Sequence, residues 1–437
     1  MTAAAPIPLT ELVDPRVGII RTCTRLPRNW DEPARPIIYQ ATLSNFDYRK
    51  PPQIERMTSG KGLTDQESAR GAIVEALERY CAMQERAGEL VYGSASTLDG
   101  PSIAPAEFVL YSERQYGSAT FRHRRPLPDQ QLTWVRGCLL GSGEAVLVPA
   151  SLTYMNFVGA GGRERFGFPN SNGLAGGTDV ASAVLAGLCE LVERDAFVIT
   201  WLTRRPAPRI DFSESAGIAS EIRRHYERFG IETVAFDLTT DLQIPVVMAV
   251  GIDRSGSRPA ATVGLGCNLD PKTALDRAVM EVVQVRTGLV PRYRGAQAPA
   301  SIERYEDVRT LQDHAALAAD PGRLPEFDFL LRGPATRKLA EMEDHDRGDV
   351  AANLSICRER LEAAGCTVAY VDLTMPDLEP FGLRIVRAIA TGLQPIQFGF
   401  GEERLGGRRL FALPRLLGYA THDLTEDELN PCPHPLA

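Results

Sequence analysis

The residues best suited to chemistry in this 437-residue sequence are glutamates that recur in the pattern Glu-x-x-Glu-Arg. Positions i, i+3 and i+4 lie on the same face of a helix, so each copy of the pattern predicts two carboxylates and one guanidinium in a single patch. The two copies comprise Glu75, Glu78 and Arg79, and then Glu190, Glu193 and Arg194.

These patches could be either solvated helix faces or buried carboxylate clusters that bind a cation. A solvated helix face with one Glu–Arg pair would contribute only a few tenths of a kcal/mol. The second copy, however, lies within the very apolar stretch AVLAGLCELVERDAFVITW, which predicts a buried helix. Buried carboxylates that repel one another require a cation, and Mg²⁺ is the usual cation where phosphate is present. Arg79, Arg194 and Arg286, which belongs to a third and weaker copy, would then balance phosphate charge.

A glycine-containing segment precedes each patch by about four helical turns. Such glycines would let backbone amides approach phosphate oxygens, with a helix N-terminus behind them. The first segment contains Ser59 and Lys61, and the second contains Ser171 and Asn172. Lys61 is followed by glycine rather than Ser or Thr, which excludes a Walker-A loop. A third, weaker copy starts at 264, lacks the last glycine of a dinucleotide fingerprint, and leads to Glu281, Gln284 and Arg286.

A second internal repeat indicates the scaffold. Residues 228–252 and 363–392 both follow the order helix end, Gly, strand, Asp-Leu-Thr, loop, strand. Repeated helix–strand modules predict an α/β (α+β) protein whose sheets are covered by helices. Helices are predicted from Thr64, where Thr64-Asp-Gln-Glu is a capping box, to about 85, and over 179–203. A charged stretch at about 296–350 predicts a polar insertion.

Composition excludes several classes of protein. The 56 acidic residues outnumber the 48 basic ones, giving a net charge of -8, which argues against nucleic-acid binding. The eight cysteines form no Cys-x-x-Cys pair and the six histidines form no cluster, which argues against zinc. The absence of a signal-peptide pattern and of a long apolar run predicts a cytoplasmic protein without a membrane span.

Three segments resemble the YcaO family of ATP-dependent peptide-modifying enzymes. They are TSGKGLTDQESARGAIVEALERY (58–80), PNSNGLAGGTDVASAVLAGLCELVERDAF (169–197) and GLGCNLDPKTALDRAVMEVVQVR (264–286). The resemblance covers roughly residues 15–437 and implies a YcaO-like fold around a central Mg–ATP site. The sequence departs from the family pattern at Ala72, often Ser, and at Ser182, often Glu.

The resemblance implies roles for the residues of these segments. The expected ligands of Mg²⁺ and the triphosphate are Glu75, Glu78, Glu190, Glu193 and Glu281. The expected ATP-contacting residues, or groups that support them, are Ser59, Lys61, Arg79, Ser171, Asn172, Arg194, Gln284 and Arg286.

The C-terminal sequence PCPHPLA resembles the Pro-x-Pro-x-Pro tail of the azoline-forming cyclodehydratases in this family, where the tail lies near the active site. This implies an ATP-dependent enzyme that converts Cys, Ser or Thr of a ribosomal precursor peptide to a thiazoline or oxazoline. The tail residues expected at the site are Pro433, His434, Pro435 and Ala437. His434, the terminal carboxylate or an unassigned glutamate is the candidate general base. The alternatives are thioamide or macroamidine formation, and a non-catalytic ATP- or peptide-binding scaffold.

The expected organisation is an N-terminal segment (1–56) that packs on the core, a catalytic domain (57–425) and the Pro-rich tail (426–437). Fused members of the family carry a leader-peptide-binding domain like ubiquitin-activating enzyme, which we do not expect here. The expected partners are therefore the precursor peptide, a separate leader-binding protein of that kind, a flavin dehydrogenase acting downstream, and a second copy of the chain in a homodimer.

Overall fold

The computed structural model describes residues 6–44, 56–157, 159, 164–168, 170–294, 299–333 and 336–436. The α-helices in these residues are α1 (Asp65–Met83), α2 (Glu113–Gly117), α3 (Ala150–Thr153), α4 (Val180–Leu202), α5 (Ile218–Glu227), α6 (Pro271–Arg294), α7 (Leu311–Ala318), α8 (Asp328–Leu331), α9 (Val350–Ala363) and α10 (Arg408–Leu416). The strands are β1 (Ile20–Arg25), β2 (Ile37–Leu43), β3 (Met57–Gly62), β4 (Leu90–Gly93), β5 (Leu132–Leu139), β6 (Ala145–Pro149), β7 (Leu174–Gly177), β8 (Arg209–Asp211), β9 (Ile231–Asp237), β10 (Val246–Asp253), β11 (Ala261–Cys267), β12 (Thr336–Lys338), β13 (Val368–Asp372) and β14 (Arg384–Ala390).

The chain forms two compact units. The first unit comprises Met1–Arg25, Ile37–Leu191 and Gly348–Leu393, and the second comprises Leu26–Pro36, Val192–Arg347 and Gln394–Ala437.

The first unit contains two sheets. Strands β1, β2 and β3 form an antiparallel sheet, and helix α1 packs on it through apolar side chains such as Ile73 and Leu77. The predicted capping box is present, because the Thr64 hydroxyl accepts from the Glu67 N–H and the Glu67 carboxylate accepts from the Thr64 N–H. The second sheet has the order β4-β5-β13-β14-β7, with β6 also paired to β5.

The second unit is built on one five-stranded sheet of order β11-β10-β9-β8-β12. Helices α5 and α6 pack against it, and the buried side chains of Ile222, Val247 and Val279 belong to the core between them. Strand β12 lies inside the predicted polar insertion and pairs with β8, so part of that segment joins the sheet. Its acidic stretch at 340–349 is mostly exposed. No helix of the described residues has the length and apolarity needed to cross a bilayer.

The predicted helix–strand–strand repeat is confirmed in detail. In each copy a glycine with positive φ separates the helix from the first strand of an antiparallel pair, β9–β10 in one case and β13–β14 in the other. The Thr239 N–H donates to Asp237 Oδ1 at 2.9 Å, and the Thr374 N–H donates to Asp372 Oδ1 at 2.8 Å. The repeated Asp-Leu-Thr is thus an Asx turn that ends the first strand.

The glycines that precede the glutamate helices lie in strands β3, β7 and β11. A Cβ at Gly60 would lie 2.1 Å from the carbonyl oxygen of Ser68 in α1. A Cβ at Gly264 would lie 2.2 Å from the carbonyl oxygen of Ala278 in α6. These glycines let a helix backbone lie directly on a strand, which differs from their predicted use in approaching phosphate oxygens.

Candidate functional site

Three of the predicted metal-binding glutamates lie in the first unit, and each accepts a backbone hydrogen bond. Glu75 Oε2 accepts from the Ser59 N–H of β3 at 3.2 Å. Glu78 Oε1 accepts from the Gly176 N–H of β7 at 2.7 Å, and Glu190 Oε2 accepts from the Gly173 N–H at 3.2 Å. The sheet edges therefore orient carboxylates that come from two helices, α1 and α4.

The charges of these glutamates act on one another. Burial raises the pKa of Glu78 well above its ordinary value, and the negative charges of Glu75 and Glu190 raise it further. Arg79 offsets part of this charge through a 2.7 Å bond from Nη2 to Glu75 Oε1. A cation bound beside Glu78 would stabilise the ionised form of this buried carboxylate, so the arrangement fits a cation site.

Asn172 supplies a hydrogen-bond donor in the turn that contacts one of these carboxylates, because it directly precedes Gly173, whose N–H donates to Glu190. The residue is 7% exposed, and its Nδ2 is a buried atom with no hydrogen-bond partner among the described residues. An orphaned buried donor carries an energetic cost that an incoming acceptor removes. A phosphate oxygen has the required chemistry, so this feature fits a nucleotide triphosphate. Ser171 is exposed in the same turn, and Ser59 and Lys61 are half-buried on β3.

The second unit holds the remaining predicted helix residues. Glu193 Oε1 lies 3.8 Å from Arg194 Nε, and both side chains are largely buried. Glu281 and Gln284 lie three residues apart on α6 and are half-buried.

Arg286, also on α6, is buried and donates to Asp31 Oδ2 at 2.8 Å and to Glu32 Oε1 at 2.6 Å. This placement gives no support to direct contact with ATP. It fits the other predicted role, a group that supports the contacting residues.

The C-terminal tail packs within the second unit rather than extending from it. Pro433, His434 and Pro435 are buried, and the Trp201 indole N–H donates to the Cys432 carbonyl oxygen at 2.8 Å. Burial lowers the pKa of His434 well below its ordinary value, with further contributions from His314 and Arg194. The imidazole is therefore neutral near pH 7. Ala437 lies outside the described residues.

No three carboxylate, histidine or cysteine side chains of the described residues are grouped closely enough to form a metal cage by themselves. Mg²⁺ commonly retains water and binds through one or two carboxylates together with substrate phosphates. The glutamates of the first unit fit that arrangement, and their role as metal ligands stays a prediction.

Comparison of the sequence with models of protein families shows to which family the chain belongs. The sequence model described as YcaO cyclodehydratase, ATP- and Mg²⁺-binding, matches residues 59–394. The chain belongs to the YcaO family. The predicted family, YcaO-type enzyme class, ATP and Mg²⁺ are confirmed at this level.

Relatives and solved YcaO structures are consistent with this result. An uncharacterized protein of Methanothermobacter thermautotrophicus is 30% identical over 356 residues, which are 80% of this chain and 84% of the relative. A heterocyclase in complex with substrate and cofactor has a TM-score of 0.79 and 25% identity, and the match covers 98% of this chain and 56% of that protein. This YcaO chain thus spans little more than half the length of that heterocyclase. YcaO from Methanopyrus kandleri bound with AMPPCP and Mg²⁺ has a TM-score of 0.63 and 23% identity, over 86% of each chain, which supports the fold.

The structure also contains charged residues that sequence reasoning missed. Arg387 is buried at the centre of β14, in the otherwise apolar sequence around Val386 and Ala388. Burial lowers its pKa to about 10, while the charges of Glu190 and Glu78 oppose that shift. The sequence signal that could have indicated a buried arginine was its position between apolar residues in a predicted strand.

Proposed function

We propose that this chain catalyses ATP-dependent cyclodehydration of Cys, Ser or Thr residues in a ribosomally made precursor peptide. The observation that carries the proposal is the electrostatic interaction of Glu78 with Glu75 and Glu190 in the first unit, together with the orphaned Asn172 amide in the turn that hydrogen-bonds Glu190. Carboxylates for a hard cation and a donor for a phosphate oxygen are the parts that phosphoryl transfer needs.

Each ring would form by cyclisation, phosphorylation and elimination of phosphate. The side-chain sulfur or oxygen of the substrate bonds to the preceding amide carbon and loses its proton to a general base. The former carbonyl oxygen then takes the γ-phosphoryl group of ATP, which releases ADP. Cleavage of the carbon–oxygen bond expels phosphate, the nitrogen loses its proton, and a C=N bond forms. Per ring, the peptide loses the elements of water while ATP becomes ADP and phosphate.

The side chains of the site would hold the cation and orient the triphosphate. Glu75, Glu78 and Glu190 would hold the cation, and Asn172 would donate to the triphosphate. Bound Mg²⁺ neutralises phosphate charge and orients the phosphoryl group. Among the candidate general bases, His434 is buried and its Nε2–H donates to the Gln397 carbonyl oxygen at 2.6 Å, so this imidazole is already engaged within the second unit.

Azoline formation is preferred over other YcaO chemistries for two reasons. The Pro-x-Pro-x-Pro tail is an ordered, buried part of the second unit. A heterocyclase also matches 98% of the chain. We further propose that a separate leader-binding protein delivers the precursor, that a flavin dehydrogenase acts downstream, and that the chain forms a homodimer.

The test is mass spectrometry of candidate precursor peptides rich in Cys, Ser and Thr, incubated with the full chain, ATP and Mg²⁺. Each reaction is run with and without a co-encoded leader-binding protein. We expect the mass of one water to be lost per ring, with one ADP and one phosphate released. Gain of sulfur in place of oxygen would identify a thioamide synthetase, and an unchanged peptide in every combination would overturn the proposal.

A matched pair of variants separates catalysis from scaffolding. Glu190→Gln should abolish ATP consumption, whereas Glu359→Gln on the exposed face of α9 in the same unit should leave it unchanged. Unchanged ATP turnover by Glu190→Gln would favour the scaffold interpretation or a different site.

A further inference from the structure

Arg387 makes an unusual set of contacts for a buried cation in the middle of a strand. Its side chain lies in the first unit, the residue is 4% exposed, and its Nε, Nη1 and Nη2 atoms all donate to backbone carbonyl oxygens. Nε donates to the Thr153 oxygen at 3.1 Å, and Nη1 donates to the Asn172 oxygen at 2.6 Å. Nη1 and Nη2 both donate to the Asn170 oxygen at 3.1 Å.

The turn held by Arg387 is the one that presents Asn172. The guanidinium binds the carbonyls on either side of Ser171, so it fixes the turn from two points. A second anchor follows immediately, because the Ala388 N–H donates to the Gly173 carbonyl oxygen at 2.7 Å. Gly173 has a φ of 77°, and a Cβ there would lie 2.4 Å from the Ala388 carbonyl oxygen, so the turn has little room to shift.

The same turn also aims a proposed metal ligand. The Gly173 N–H that follows Asn172 donates to Glu190 Oε2 at 3.2 Å. Movement of the turn would therefore displace the Asn172 amide and the hydrogen-bond donor of Glu190 together.

We propose that Arg387 is a positioning residue of the nucleotide site, which acts by clamping the Asn170–Gly173 turn so that the Asn172 amide faces the triphosphate. The inference rests on the proposed function of the first unit as a Mg–ATP site. The role depends on the shape of the Arg387 side chain and not only on its charge, because the planar guanidinium can donate to three carbonyl oxygens at once. A lysine at this position retains the charge and loses the fork.

The test measures binding of AMPPCP with Mg²⁺ by calorimetry on the full chain, together with the thermal unfolding midpoint. Arg387→Lys should weaken binding about tenfold, the effect of losing one hydrogen bond that involves a charged group. Arg384→Lys is the matched control, since Arg384 lies on the same strand, is 42% exposed and faces Glu379 at 4.0 Å. Binding by Arg384→Lys should equal that of the wild type.

A double-mutant cycle separates positioning from a general loss of structure. Asn172→Ala removes the amide that Arg387 is proposed to aim and leaves the carbonyl that it binds. Adding Arg387→Lys to Asn172→Ala should therefore cause no further loss of AMPPCP affinity. If Arg387→Lys instead causes a general structural defect, the double variant should bind about tenfold more weakly than Asn172→Ala alone.

The outcomes distinguish this inference from the proposed function. Wild-type affinity in Arg387→Lys, or full additivity in the cycle, would overturn the role of Arg387 and leave the site intact. Failure of the wild-type chain to bind AMPPCP with Mg²⁺ would overturn the proposed site, and this inference with it.

Discussion

His314 Nδ1 donates to the backbone carbonyl oxygen of His434 at 2.6 Å, and the two imidazole rings stack with centroids 4.1 Å apart. On its other side, His314 Nε2 accepts from the Gly399 N–H at 2.9 Å. Both nitrogens of His314 are thus committed, and the neutral Nδ1–H tautomer satisfies them both. His314 lies in helix α7, so an element of the predicted polar insertion anchors the Pro-rich tail.

The first prediction concerns this anchor. His314→Leu removes two buried hydrogen bonds and leaves the Gly399 N–H and the His434 carbonyl without those partners. We expect the free energy of unfolding to fall by about 2–4 kcal/mol and azoline formation to decrease. Denaturant titration and the peptide mass assay measure the two effects, with exposed His422→Leu as the control.

This variant tests the tail more cleanly than deletion of residues 431–437 does. Deletion would also remove the buried side chains of Cys432, His434 and Leu436 and so would destabilise the second unit directly. If His314→Leu keeps full stability and activity, the anchor has no role in either.

The second prediction is that acid destabilises the second unit through the histidine pair. Burial lowers the pKa of His314 to about 4, against about 6.5 in an unfolded chain. The unfolded chain therefore binds more protons than the folded chain below about pH 6.5, and stability falls as the pH falls towards 4. At pH 5, His314 alone should cost about 2 kcal/mol relative to pH 8.

Denaturant midpoints of the wild type and His314→Leu at pH 8 and pH 5 check this prediction. Carboxylates that titrate in the same range affect both proteins, so the informative quantity is the difference between the two pH dependences. The variant should lose less stability on acidification. Equal losses in the two proteins would contradict a neutral, buried His314.

Local signals made part of this structure predictable. The Thr64 capping box, the apolar run of α4 and the repeated Asp-Leu-Thr depend on residues a few positions apart, and all three are present. The pairing of His314 with His434 joins residues 120 positions apart, and that of Arg286 with Asp31 joins residues 255 apart. Such pairs leave no periodic or spacing signal, because they depend on how distant segments pack in the folded unit.

The same distinction applies to the candidate site. The Glu-x-x-Glu-Arg pattern predicted Glu75, Glu78 and Glu190 as site residues, since helical spacing places the charged groups of each copy on one face of its helix. Arg387 contacts a turn more than 200 residues earlier, so no local pattern indicates its partner. The glycine segments were predicted to approach phosphate oxygens, whereas in the structure they let a helix pack closely on a strand. Glycine suits both arrangements, so its presence in the sequence does not distinguish them.

The third prediction separates the two roles considered for Arg286. Its guanidinium is buried against Asp31 and Glu32. Arg286→Gln would leave the buried Glu32 without a cation, whereas Asp31 would keep its 2.9 Å contact with Arg294. We expect a loss of about 3–5 kcal/mol in the free energy of unfolding. The triple variant with Asp31→Asn and Glu32→Gln should recover most of that loss, and exposed Arg292→Gln on the same helix should cause none. A stable Arg286→Gln that fails to bind AMPPCP would instead indicate direct contact with the nucleotide.

The fourth prediction is that Glu78→Gln changes stability and activity in opposite directions. Its charge is unfavourable in the folded chain, because burial and the charges of Glu75 and Glu190 raise its pKa. A neutral glutamine can keep the bond from the Gly176 N–H and removes the repulsion, so the thermal unfolding midpoint should rise by about 2–4 °C. The loss of one proposed cation ligand should abolish Mg²⁺-dependent ATP consumption. Calorimetric melting and an ADP-release assay measure the two effects, with Glu359→Gln as the control. A lower midpoint would show that the carboxylate stabilises the fold, and undiminished ADP release would remove Glu78 from the site.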